Sequence, residues 1–141
     1  LWLLESSQYN EAKAALSRSI ELKPSTTAYV YLCVACCNTQ QFEAAEQYCR
    51  EAISMDVGFD EAHYNLGKIY QMQNRFDEAI CAFHEAIRLS PNYQLAHLNL
   101  GSIYIQTGDI TKARQHLLKS LELNPLDDRA SKYLAEIEEV D

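Results

Sequence analysis

Two side-chain amides occupy the same place in a phrase written twice. AHYNLGKIY at 62–70 and AHLNLGSIY at 96–104 carry Asn65 and Asn99, 34 residues apart. A carboxamide offers both a donor and an acceptor. Such residues on one surface can pair with the N–H and C=O of an extended peptide. The alternative is that they hydrogen-bond between helices of their own fold. Cys33, Cys36 and Cys37 suggest metal binding, since Cys33 and Cys37 are i, i+4 neighbours on a helix. Zinc, however, takes about four ligands, usually from turns, and no nearby histidine completes a set. Cys33 and Cys49 read instead as small core hydrophobes. His63 and His97 stand at equivalent places, where packing is the simpler role, and His84 and His116 have no carboxylate at a telling spacing. No phosphate loop, nucleophile elbow or metal-protease motif occurs. The expectation is a chain with no catalytic residue, no bound metal and no cofactor.

Composition narrows the partners. The chain has 141 residues, 48% hydrophobic and 23% charged, which is ordinary for a soluble globular domain. Its net charge of −8 comes from 20 acidic and 12 basic residues, and the basic ones are scattered. Phosphate recognition needs clustered positive charge, so nucleic acid and anionic membrane surfaces are not expected partners. The longest apolar run, AYVYLCVACC at 28–37, is too short to span a bilayer and reads as a buried helix. An odd number of cysteines, five, lies mostly within apolar helical patterns. That predicts reduced thiols in the cytoplasm or the nucleus. Residue 1 is Leu and no signal peptide is read, so a fragment of a longer protein is expected.

A beat of about 34 residues organises the whole. Pro24, Val57, Pro91 and Pro125 mark it, and Ala12, Ala45, Ala79 and Ala113 precede these marks by twelve. A period of this size means stacked supersecondary units. In the clearest unit Ala62, Leu66, Ile69 and Tyr70 make one helix face, and Phe76, Ala79, Ile80, Phe83, Ala86 and Ile87 a second. Asn74 between them suits a left-handed helix end, Gly108 takes that role one unit later, and Pro91 closes the unit. Gly67, Gly101, Ala79 and Ala86 let helix axes approach, while Leu66, Tyr70 and Phe83 fill the space between them.

These residues resemble the tetratricopeptide repeat, whose pattern is W-x₂-L-G-x₂-Y, A-x₃-F, P. His63, Leu66, Gly67, Tyr70, Ala79, Phe83 and Pro91 match it, with His for Trp; His97 to Pro125 match with one further change, Leu117. Tyr29 to Val57 match loosely. The resemblance implies an all-α right-handed superhelical solenoid of antiparallel helix hairpins. One domain over 1–141 would comprise a partial repeat (1–25), repeats at 26–59, 60–93 and 94–127, and a capping helix with an acidic tail (128–141).

In this family the inner stripe of each first helix lines a concave groove. Here that stripe holds Thr27, Val30, Tyr31 and Val34, then Glu61, Tyr64, Asn65, Lys68 and Met72, then Leu95, Leu98, Asn99, Ser102 and Gln106. The resemblance implies a largely apolar groove for an extended peptide or a partner helix. Val30, Tyr31, Val34, Tyr64, Asn65, Lys68, Leu95, Leu98 and Asn99 are the candidate contacts. Some of these side chains could instead pack on adjacent repeats. Asn at matching positions is similar to the peptide-binding repeats of the O-linked N-acetylglucosamine transferase family, although Tyr31 and Tyr133 interrupt the ladder. The family's clamp for chaperone carboxylates is not expected. Its places hold Val30, Val34, Asn65, Leu95 and Asn99, of which only Asn65 fits. The terminal IEEVD reads as a solvated, frayed helix end, or as the tail such clamps recognise.

The function expected is therefore a protein–protein interaction module. The alternatives are the substrate-recognition region of a larger enzyme such as a glycosyltransferase, or a scaffold that self-assembles through Leu1–Leu4.

Overall fold

The computed structural model describes the backbone of residues 2–140 and the side chains of residues 5–139. The described residues form eight helices and no strand: α1 (Trp2–Leu22), α2 (Thr26–Asn38), α3 (Phe42–Met55), α4 (Asp60–Met72), α5 (Phe76–Leu89), α6 (Gln94–Thr107), α7 (Ile110–Leu123) and α8 (Asp128–Val140). Pairs α2/α3, α4/α5 and α6/α7 are the hairpins.

Each hairpin turns on one left-handed residue, at the same repeat position: Gln40 (φ 60°), Asn74 (φ 58°) and Gly108 (φ 87°). That conformation lets the next N–H reach back five residues. Gln41 donates to Cys36 O at 2.8 Å, Arg75 to Tyr70 O at 2.9 Å, and Asp109 to Tyr104 O at 2.9 Å. Otherwise orphaned helix-end carbonyls are satisfied in this way. Gln40 is not a preferred residue there and carries no mark in the sequence; the register of the hairpin imposes it.

Within a hairpin, the small residue of the first helix faces the large residue of the second. A Cβ placed on Gly67 would lie 2.8 Å from the Phe83 ring, and one on Gly101 would lie 2.5 Å from Leu117. Phe83 and Leu117 are fully buried there. In the first full repeat the same two positions are Cys33 and Cys49, joined by a disulfide with Cα atoms 5.5 Å apart. This corrects the expectation of five reduced thiols. The helix-by-helix reading compares neighbours on one helix, whereas the bridge spans the hairpin. Cys36, Cys37 and Cys81 are free.

Each second helix packs on the first helix of the next repeat, α3 on α4, α5 on α6 and α7 on α8. The first helices also approach one another, α2 with α4, α4 with α6 and α6 with α8, whereas the backbones of α3, α5 and α7 stay apart and α5 meets α7 through side chains, His84 and His116 at 5.7 Å between ring centroids. First helices that approach more closely than second helices make the array curve, with α2, α4, α6 and α8 on the concave side. The joints are pinned by histidine: His63 Nε2 lies 3.0 Å from Val57 O, and His97 Nε2 lies 3.0 Å from Pro91 O. A carbonyl only accepts, so each ring donates through Nε2–H. His63 and His97 thus have the packing role expected of them.

The two ends differ from the middle. α1 is one continuous helix through Ser7, the place matching Gln40 and Asn74. It lies on α2 through half-buried Lys13, Leu16, Ser17 and Ile20. α8 stays helical to Val140, so no fraying is seen over the described part of the IEEVD segment; Asp141 lies outside it.

Candidate functional site

The inner surface is set by which helical stripe the neighbouring repeat covers. Val30, Tyr64 and Leu98 share one repeat position and are 1%, 8% and 2% exposed. They sit at the seams where α2, α4 and α6 meet. Val30 packs with Ala52 and Ala62, and Leu98 belongs to the main core. The expectation that Val30 and Leu98 present their side chains to the groove is therefore corrected. Direct contact between inner helices buries that position, and no single helix pattern reveals it.

The accessible floor is the next stripe round. Tyr31 is exposed, while Val34, Lys68, Leu95 and Asn99 are half-buried. Met72, part of the expected inner stripe though not among the candidate contacts, is 52% exposed at the end of α4. The face is therefore mixed in polarity rather than largely apolar.

Its polar centre is built around Tyr64. The ring stacks on Tyr93 at 4.9 Å between centroids and meets Phe83 at 5.7 Å. The ammonium of Lys68 stands 5.7 Å from the same ring. The Asn99 amide donates to the Tyr64 hydroxyl at 3.4 Å, a long bond. Burial raises the Tyr64 pKa above the usual phenol value, so the group is a neutral hydroxyl at pH 7. Arg129 of α8 acts on the same hydroxyl, which extends the polar patch to the last helix.

The two amides are only partly committed. Asn65 donates through Nδ2 to its own helix, at Glu61 O, 2.9 Å away. Neither Asn65 Oδ1 nor Asn99 Oδ1 has a partner among the described residues, and no buried side-chain oxygen is left unsatisfied. Asn65 is 8% exposed and Asn99 is half-buried, so each oxygen has only a small exposed tip from which to accept. One N–H of each amide is engaged, which leaves its second N–H and its Oδ1 uncommitted.

Tyr93 and Arg129 were missed by sequence reasoning. Tyr93 precedes α6 at the position where Phe59 precedes α4, so an aromatic recurring at the joint was the available signal. The charged Arg129 had no comparable signal.

On the outer side, three histidines from three helices converge. His97 Nδ1 lies 3.1 Å from His116 Nδ1, and His84 Nε2 lies 3.2 Å from the Tyr104 hydroxyl. His97 donates through Nε2, so its Nδ1 accepts and His116 Nδ1–H donates. Burial, with His97 and His84 alongside, pushes the His116 pKa down to about 4; burial also lowers that of His84. The unfolded chain therefore takes up protons first as pH falls below about 6.5. Stability is expected to fall from pH 6.5 towards pH 4, and less so in His116→Leu. Urea midpoints at both pH values check this; identical losses in both proteins would contradict it. Among the described residues no group of three or more His, Cys, Asp or Glu is arranged to hold a metal ion.

Comparison with known proteins agrees with this architecture. The family model described as "Tetratricopeptide repeat" matches residues 38–81 and 72–137. The chain belongs to the tetratricopeptide-repeat family. Among solved structures, a MamA protein is 27% identical with a TM-score of 0.74, over 87% of this chain and 67% of that one. MamA 41-end from Desulfovibrio magneticus RS-1 is 22% identical with a TM-score of 0.75, over 86% and 70%. The APC/C hetero-tetramer Cut9–Hcn1 contains a chain matched at 22% identity with a TM-score of 0.85, over 94% of this chain and 26% of that one. No curated protein matches the sequence. Among the described residues no helix of this tetratricopeptide-repeat chain is long and apolar enough to cross a membrane.

Proposed function

We propose that this chain is a protein-interaction module that holds an extended peptide or a partner helix against the inner faces of α2, α4 and α6. The observation that carries this reading is the row of accessible groups repeated along the concave layer. Asn65 Oδ1 and Asn99 Oδ1 are free acceptors, flanked by Lys68 and by the apolar surfaces of Tyr31, Val34 and Leu95. Solenoids use their concave surfaces for such contacts. The similar Cut9 array occurs in a hetero-tetramer with Hcn1, which supports a partner that is itself a protein.

Apolar contact with Tyr31, Val34, Leu95 and Met72 supplies most of the affinity, and the amides set register. Tyr64 contributes its hydroxyl edge and holds Lys68 and Asn99 in place. No catalytic step belongs to this reading, and no observation on this chain favours a substrate-selecting arm of a larger enzyme. Self-assembly through Leu1–Leu4 rests on side chains outside the described part. The bridge between Cys33 and Cys49 removes the argument for a reducing compartment, and the groove serves equally in either setting.

The test is an affinity measured twice. A partner captured from lysate by the immobilised chain and identified by mass is titrated against wild type and Asn65→Ala/Asn99→Ala. Binding about tenfold weaker, at unchanged melting temperature, is expected from two lost hydrogen bonds. Equal affinity in a folded variant would remove the amides from the site.

A further inference from the structure

The three full repeats can be superposed in sequence, and one of them lacks a ring. Tyr29, His63 and His97 share one position of the first helix; Tyr48, Ala82 and His116 share one of the second. Tyr48 covers Tyr29 at 6.3 Å between centroids, and His116 covers His97 at 5.3 Å. In the central repeat the partner of His63 is the methyl group of Ala82. A shallow, mainly apolar cavity of about 420 Å³ opens there on the convex side, floored by His63, Leu66, Tyr70 and Ala82.

The small residue at this place leaves a free acceptor as well as a space. His63 donates through Nε2 to Val57 O, so its Nδ1 carries a lone pair. The same atom of His97 accepts from His116 Nδ1–H. At His63 no described residue supplies that proton, although the residue is only 9% exposed. No buried side-chain nitrogen is left unsatisfied, so Nδ1 opens towards the cavity.

Charge adds a further preference. Asp77, Glu78 and Glu85 line the rim, where the next repeat has Thr111, Lys112 and Lys119. Glu78 pairs with Arg75 and Glu85 with Arg88, leaving Asp77 as a carboxylate without an ion-pair partner among the described residues.

We propose that the cavity between α4 and α5 is a second binding site, distinct from the concave groove, which takes one aromatic side chain with a ring N–H donor from a basic segment of a partner protein. The ring lies where His116 lies one repeat later, and its N–H meets His63 Nδ1. Tryptophan or histidine beside a Lys or Arg has this chemistry.

Tryptamine is the probe, because it carries an indole N–H and a cation. Added to the isotope-labelled chain, it is expected to shift the amide resonances around His63, Cys81 and Ala82 saturably, with a Kd on the order of 1 mM for so small a ligand. Phenethylamine, which keeps the charge and loses the N–H, is expected to bind about fivefold more weakly. Indole-3-propionate, which reverses the charge, should also bind more weakly than tryptamine. Ala82→His restores the ring present in the next repeat and should abolish the shifts while the melting temperature holds or rises. Ala82→Tyr, which copies Tyr48 of the preceding repeat, serves if that variant does not fold. The proposal is overturned by absent or non-saturable shifts at these residues, by shifts centred on Tyr31 and Lys68, or by equal affinity in the filled variant. Equal binding of all three probes would overturn the donor and charge assignments.

Discussion

Phe83→Ala is expected to cost about 3–5 kcal/mol of folding stability. The ring is fully buried and rests on Gly67 in the central hairpin, with Tyr64 on its other side. Removing it leaves a void that the backbone cannot close, because fully buried Ala79 and Ala86 and half-buried Ile80 and Ile87 are already in packing contact and leave the helices little room to move closer. In a solenoid each repeat is stabilised by itself and by its neighbours. Loss at the centre therefore uncouples the two halves, and the urea transition broadens or splits. Phe83→Leu is the control. Leu117 fills the same place one repeat on, so this change should stay under about 1.5 kcal/mol. Urea titration of the two variants checks both statements. A Phe83→Ala loss of only about 1 kcal/mol would mean that the site collapses around the cavity.

Reduction of the Cys33–Cys49 bridge is expected to have the next largest effect. The two residues are 16 apart in sequence. Loop-closure entropy for such a ring amounts to about 3 kcal/mol. That corresponds to a fall in melting temperature on the order of 10 °C for a chain of this size. The loss falls mainly on α2 and α3, where Cys49 stands in the place that Phe83 and Leu117 fill in the next two hairpins. Melting with and without reductant, alongside Cys33→Ala/Cys49→Ala, measures it. Thiol counting in denaturant should find three free thiols before reduction, those of Cys36, Cys37 and Cys81. Five thiols without reductant, or an unchanged melt after complete reduction, would contradict the bridge.

The same pair of positions shows how far the sequence is readable. Gly67 with Phe83, and Gly101 with Leu117, already announce that these two places meet in each hairpin. Cys33 and Cys49 stand in those places, so the bridge was legible once the repeats were superposed. The period of each helix by itself does not show it. The turns at Asn74 and Gly108 were plain because those residue types favour the left-handed region. Gln40 carries no such mark. The exposed stripe of the inner helices was legible to within one helical position. α2 and α6 are apolar almost all round, so their own patterns do not distinguish the seam at Val30 and Leu98 from the open stripe at Tyr31 and Asn99. A step of one residue turns a helix by about 100°, and only contact between inner helices fixes which side is covered. The histidine cluster was illegible for a related reason. His84, His97 and His116 come from three helices and meet only after the hairpins stack.

The central claim is that a partner lies on the concave layer. Hydroxyl-radical footprinting of the chain, alone and with its captured partner, tests this most directly. Four oxidisable or apolar side chains are comparably exposed: Tyr31 at 55%, Met72 at 52%, Leu118 at 51% and Met55 at 46%. The first two belong to inner helices and the last two to outer ones. The account predicts that the partner protects Tyr31 and Met72 and leaves Leu118 and Met55 as reactive as before. Protection of Leu118 and Met55, with Tyr31 and Met72 unchanged, would contradict it and place the partner on the convex side.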